Sequence, residues 1–262
     1  MTIIRTDQWL KQALDKPLEL LQKVKPTVEN PTRFYRYLCS FGMYQHPRRA
    51  QRVFQILEEK EAWKKINQIY QKYRSLWDGP TINIYIFPME EGNRSFMRDT
   101  RGRSGITFPK QIFLFLSSVG DEKEWEALFV HEYHHAARMS RLKKEINDYT
   151  LLDSLVLEGL AEHAVLDCCG VDYVAPWCTS YQEKRLASLW QRAIKQYLHI
   201  TRSEARHDDI LFGKRAYPRM IGYVIGYHII AHYKKQASDF SIAKTLGVPS
   251  NTFLQDDFLK LE

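Results

Sequence analysis

The chain has 262 residues, 44% of them hydrophobic and 26% charged, which is globular composition and excludes a low-complexity or linker-rich chain. Its 38 basic and 31 acidic side chains give a formal charge of +7, with basic clusters at HPRRAQR (46–52) and RDTRGR (98–103). No nucleic-acid motif accompanies this charge, so it reads as solvated surface and counts against a nucleic-acid binder.

The first 30 residues mix Leu and Ile with Arg, Asp, Lys and Glu at helical spacing and hold no uninterrupted apolar core of the kind a secretory signal needs. The most apolar later run, MIGYVIGYHIIAHY (220–233), is interrupted by two glycines and two histidines and falls short of the ~20 apolar residues of a membrane span. Cys39, Cys168, Cys169 and Cys178 form neither a disulfide framework nor a CxxC metal pattern and are expected as reduced, buried thiols. A cytoplasmic location is expected.

From Asp7 to about Trp77, apolar residues recur at intervals of three and four, punctuated by Asn30-Pro31 and Pro47, which predicts an N-terminal helical lobe over residues 1–78. After Asp78-Gly79-Pro80 the period changes. TINIYIFPM (81–89) and KQIFLFLSS (110–118) alternate and predict strands of a small sheet, while RGRSGITF (101–108) reads as the rim of a site or as a plain surface loop. Asp121 then predicts a helix cap with Glu124 reaching back to it, and the acidic start and basic end of the following stretch, to Lys144, suit a helix dipole. Further helices are predicted over about Thr150–Asp167, Tyr181–Leu198 and Ala216–Gln236, with a turn at Gly170–Pro176.

HEYHH (131–135) lies in the middle of the Asp121 helix. Four residues turn through about 400°, so His131 and His135 share one face and their imidazoles can close on one ion. A catalytic zinc usually takes three protein ligands and leaves its fourth position to water, so a third ligand is needed. Glu132 projects about 100° to the side, placed to take a proton from that water instead of joining the ligands. His134 falls outside this register, and neither it nor Tyr133 has a role in the pattern. Downstream, SLVLEGLAEHAVL (154–166) carries Glu158 and Glu162 one turn apart in an apolar run, where carboxylates need partners. Glu158 is read as the third ligand and Glu162 as the group that hydrogen-bonds a ligand histidine from behind. Gly159 marks a close approach, expected to let this helix press on the HEYHH helix, and His163 is a neighbour of the site or a satisfied core histidine.

His131-Glu132-x-x-His135 followed by Glu158-Gly159-x-Ala161 resembles the gluzincin clan of zinc metallopeptidases, and HEYHH with LVLEGLAEHAV resembles the YjaZ-like family of predicted zinc-dependent proteases over about residues 100–235. The resemblance implies one zinc ion held by His131, His135 and Glu158, with Glu132 as general base and a peptide or unfolded protein as substrate. Gluzincin aminopeptidases also place an oxyanion donor in a Tyr-x-x-Gly context; Tyr223-Val224-Ile225-Gly226 is similar, with Tyr227 and His228 as nearby alternatives. No GxMEN-type aminopeptidase motif precedes HEYHH. KQIFLFLSS would be the clan's edge strand that pairs with extended substrate.

The expected fold is α+β and predominantly helical: a zincin-like metallopeptidase core over residues 79–262 with a small mixed sheet, packed as one unit with the helical lobe. The expected function is a zinc-dependent metallopeptidase. Its rivals are a zinc amidohydrolase of a non-protein or cell-wall amide and a non-catalytic zinc-binding regulatory protein. An open three-ligand site beside Glu132 counts against the second rival, because structural zinc usually takes four protein ligands.

Overall fold

Proline opens three of the early helices, at the position where its missing N–H breaks no intrahelical bond. In the computed structural model, which describes residues 3–24, 29–179 and 181–260, α1 (Thr6–Ala13) precedes α2 (Pro17–Gln22), α3 (Pro31–Ser40) and α4 (Pro47–Glu59), the last three each starting on proline. The following helix, α5 (Ala62–Trp77), stops where Asp78 turns left-handed at φ 44°. Among the described residues, the stretch predicted to be helical forms five helices, the last ending at Trp77. By contacts the chain divides into two compact units, Met1–Ala136 and Ala137–Glu262.

The first unit is built on a three-stranded sheet. β1 (Asn83–Pro88) is followed by α6 (Arg94–Thr100), β2 (Arg103–Phe108) and β3 (Gln111–Leu116), in the spatial order β1-β3-β2. The sheet is mixed, since β1 runs parallel and β2 antiparallel to β3. Two points differ from the sequence reading. Residues 103–108 of RGRSGITF form a strand, although their arginine, serine and glycine dilute the alternation that marks one. It also takes the edge of the sheet, half-buried along its length, whereas KQIFLFLSS supplies the fully buried central strand. An unbroken apolar run suits a strand covered on both faces, which is what β3 is.

Strand alternation sorts the side chains into two faces. On one face Tyr85 stacks on Phe113 at 4.9 Å, and these rings meet Trp9 of α1, Phe34 of α3 and Phe108 of β2. The other face carries Ile84, Ile86, Ile112 and Leu114, in register with Gly105 and Thr107. There β2 meets α7 (Glu122–Leu142), the helix that carries HEYHH. Asp121 caps α7 by accepting from the Glu124 N–H at 2.7 Å. The carboxylate of Glu124 does not reach back to the cap; it lies 2.8 Å from Arg103 of β2, a charged partner that outcompetes a backbone N–H. On its other side α7 packs against α5, with Tyr133 stacked on Trp77 at 6.0 Å and set edge-on to Tyr70 at 5.6 Å.

The second unit is helical. α8 (Leu151–Cys169) opens with a reciprocal cap, the Thr150 hydroxyl accepting from the Asp153 N–H and the Asp153 carboxylate from the Thr150 N–H. α9 (Glu183–Leu189) runs into a π-helical turn over Trp190–Ile194, and α10 (Ala205–Phe212), α11 (Ile221–Gln236) and α12 (Ile242–Thr245) complete the unit. The start of α11 lies five residues beyond the predicted Ala216, because Pro218 biases Tyr217 away from helical backbone and Met220 sits at φ 58°. Arg138, on the last turns of α7, is fully buried and donates to the Thr245 carbonyl at 2.9 Å and to the Ser250 hydroxyl at 3.2 Å; burial lowers its pKa to about 10. Among the described residues no helix is long and apolar enough to cross a membrane.

Helices α8 and α11 cross backbone to backbone. A Cβ on Gly159 would stand 2.1 Å from the Gly226 carbonyl oxygen, and one on Gly226 would stand 2.0 Å from the Leu155 carbonyl oxygen. Gly159 thus makes room for α11, which corrects the expectation that its gap serves the HEYHH helix. Leu155, Leu160, Val224, Ile225 and Ile229 close the core around the crossing. Because the obstructing atoms are backbone, a methyl group cannot be absorbed by a rotamer change. Gly226→Ala is expected to lower the unfolding free energy by about 2 kcal/mol or more, read as a lower urea midpoint, and a wild-type midpoint would refute this account of the crossing.

Candidate metal centre

Helix α7 turns two imidazoles to the same side. His131 is half-buried and His135 buried, with their Nε2 atoms 3.0 Å apart and their rings edge-to-face at 4.6 Å between centroids. Two nitrogens at zinc-ligand distance from one tetrahedral ion stand about 3.4 Å apart, so the pair needs only a small opening to share an ion. Glu158 of α8 joins them: one ligand atom from each of His131, His135 and Glu158 lies within 4.8 Å of the other two. Two imidazoles and a carboxylate form a donor set that suits zinc.

The residue between the helix and the sheet is Glu132. It is buried, and its Oε2 lies 2.6 Å from the Thr107 hydroxyl of β2, which also stands 2.9 Å from the Glu132 main-chain oxygen. At Gly105, two residues earlier on the same strand, a Cβ would come within 2.8 Å of Glu132 Cγ. From sequence, Gly105 and Thr107 are covered only as members of RGRSGITF, read as a rim or a plain surface loop; the signal that could have singled them out is the glycine, which within a strand marks a close backbone approach. Tyr133, left without a role by the pattern, belongs to the packing. Its ring is buried and its hydroxyl donates to the Pro80 carbonyl at 2.9 Å, while Gly79 leaves the space, since a Cβ there would sit 2.4 Å from the Tyr133 oxygen. Asp78-Gly79-Pro80, read from sequence as a break in period, therefore also supplies the socket for Tyr133. His134 is buried with its ring edge-on to Trp77 at 6.0 Å.

The family model described as Predicted Zn-dependent protease (DUF2268) matches residues 62–255. The chain belongs to this family. It is 33% identical over 261 residues to the uncharacterized protein YjaZ of Bacillus subtilis strain 168, an alignment covering 97% of this chain and 98% of that relative. It is also 25% identical over 118 residues to the uncharacterized protein YjfC of the same organism, covering 42% of this chain and 40% of that one. Within this DUF2268 chain the matched region runs from the first residue of α5 past α12, and it contains His131, Glu132, His135 and Glu158.

The remaining residues singled out in the DUF2268 sequence lie on α8 and α11. Glu162 is buried, and its carboxylate accepts from the Ala175 N–H at 2.9 Å, which ties the Gly170–Pro176 segment to α8. Burial, reinforced by the charges of Glu162 and Glu158, raises the pKa of the buried Cys178 thiol. Tyr223 is half-buried between the rings of Trp177 and Phe212, at 6.3 and 6.1 Å. Tyr227 stacks on His163 at 4.5 Å, and burial lowers the pKa of His228 on the next position. His163 is a core histidine: it donates to the Tyr227 carbonyl at 3.1 Å, and burial lowers its pKa to about 4.

That depression carries a pH consequence. The unfolded chain takes up a proton on His163 near the ordinary value of 6.5, while the folded chain does so only near 4, so stability is lost as pH falls between these values. From pH 7 to pH 5 this one group is expected to cost about 2 kcal/mol. Urea unfolding at both pH values should show the wild-type chain losing that much more than His163→Gln; equal losses would mean that His163 titrates normally in the fold.

Proposed function

We propose that the protein is a zinc-dependent metallopeptidase that hydrolyses peptide bonds. The observation that carries this reading is the group of His131, His135 and Glu158, whose ligand atoms lie within 4.8 Å of one another, with the buried Glu132 next to His131 in the chain. In this reading His131, His135 and Glu158 hold one zinc ion. Bound zinc supplies Lewis acidity and brings the pKa of its water down towards about 7. Glu132 accepts the proton of the attacking water and passes it to the leaving amine, the general acid–base role of a carboxylate at this spacing. Tyr223 is assigned as donor to the developing oxyanion and Glu162 as the group that orients a ligand histidine.

A peptide is preferred over a smaller amide because of β2. Among the described residues no strand lies beyond it, and an extended chain can add to such an edge through main-chain hydrogen bonds. The same strand touches Glu132 through Gly105 and Thr107, so an added peptide would run close to the proposed base. This arrangement is what a zincin-like core provides, with the substrate role assigned to β2 instead of β3.

Two variants test the reading. Glu132→Gln is expected to retain zinc, measured by plasma mass spectrometry, and to lose about 100-fold or more in hydrolysis of fluorescein-labelled casein. Glu158→Ala is expected to lose the metal itself. Undiminished turnover in the first variant would refute the base, and full zinc content in the second would refute the third ligand.

A further inference from the structure

We infer that Gly105 and Thr107 of β2 are positioning residues that together seat the carboxylate of Glu132. Strand alternation puts them on one face, a single rung apart, and both address the same side chain. Gly105 supplies space: a Cβ there would stand 2.8 Å from Cγ, 3.0 Å from Cδ and 2.9 Å from Oε1 of Glu132. Thr107 supplies the hydrogen bond, its hydroxyl 2.6 Å from Oε2. Among the described residues this is the one side-chain hydrogen bond that Glu132 makes.

The two contacts act on different freedoms of a long side chain. With Oε2 tied to Thr107, the carboxylate plane is fixed and Oε1 remains as the oxygen that can address another group. With no Cβ at 105, the chain from Cγ to Oε1 lies flat against the strand. A methyl at 105 would meet the far end of a flexible side chain and not a backbone atom, so the protein can accept it by moving the carboxylate away. Gly105→Ala should therefore fold normally and misplace Glu132. Threonine also limits the substitutions: Thr107→Val keeps the shape and removes the donor, whereas Thr107→Ser keeps the donor.

The catalytic meaning of this seat rests on the metallopeptidase reading, but the seat itself is tested without turnover. A double-mutant cycle on the full-length chain, with Thr107→Val, Glu132→Ala and the pair, is read by urea unfolding. Thr107→Val is expected to lower the midpoint more in the wild-type background than in the Glu132→Ala background, where its hydroxyl keeps only the main-chain oxygen of residue 132; equal shifts in both backgrounds would overturn the seat. Hydrolysis of fluorescein-labelled casein reads its consequence. Gly105→Ala and Thr107→Val are expected to lose about 100-fold in kcat with KM within threefold, at wild-type zinc content, while Thr107→Ser recovers most of the rate. Loss confined to KM, or failure of serine to rescue while the chain stays folded, would overturn the positioning role. If the wild-type chain leaves casein intact, the peptidase reading fails there and the unfolding cycle still decides the seat.

Discussion

The packing of α7 on α5 sets everything else in the first unit. Phe129 and Tyr133, four residues apart, lie on one side of α7 and stack with each other at 5.3 Å while meeting Tyr70, Tyr73 and Trp77. Aromatic pairs contribute about 0.5–1.5 kcal/mol each beyond the area they bury, and Tyr133 adds a hydrogen bond to Pro80 worth about 1 kcal/mol. Together these fix the rotation of the helix about its axis. His131 and His135 fall two residues before and after Tyr133, about 200° round, so a helix held by its aromatic stripe must present the two imidazoles on the opposite side. Glu132 falls between the two directions and meets the edge strand.

Polar groups inside such packing are costly unless each finds a partner. The carboxylate of Glu132 has Thr107, and that of Glu162 has the Ala175 N–H. Cys178, buried near Glu162 and Glu158, is held as the neutral thiol by burial and by the charges of those two residues. His163 is likewise kept neutral by burial. Helix α8 carries four acidic side chains, Asp153 and Asp167 near its ends and Glu158 and Glu162 one turn apart between them. The inner pair falls in the apolar run of the helix, where a carboxylate needs a partner.

How far this could be read in the sequence follows from how local each cause is. The Asp121 cap, the strands at Ile84 and Phe113, and the helix carrying Glu158 rest on near neighbours in the chain, and they lie where periodicity places them. The histidine pair was legible for the same reason, since i and i+4 share a face. Non-local causes were not legible. Gly159 announced a close approach but not its partner, which Gly226 supplies from 67 positions downstream. Glu124 looked like half of a capping box, but Arg103 on β2 claims its carboxylate. Tyr133 had no reading at all until Gly79 and Pro80 appeared as its socket.

The least legible strand has the most to do. RGRSGITF is short, half-exposed and broken by glycine, yet both of its faces are anchored. Arg103, Gly105 and Thr107 hold α7 through Glu124 and Glu132, and Phe108 on the opposite face packs against Phe34 and Tyr37. An edge strand ordinarily needs protection, because its open backbone invites any extended chain to pair. Here the features that weaken the strand's sequence signal are those that fix it to the helix: arginine for a charge pair, glycine for a carboxylate, threonine for a hydrogen bond. A strand pinned on both faces can receive a partner at its edge without yielding, and the residues that pin it on one face are the same ones that hold Glu132. The edge that would bind an extended peptide and the side chain that would act on it are thus set by a single rigid element.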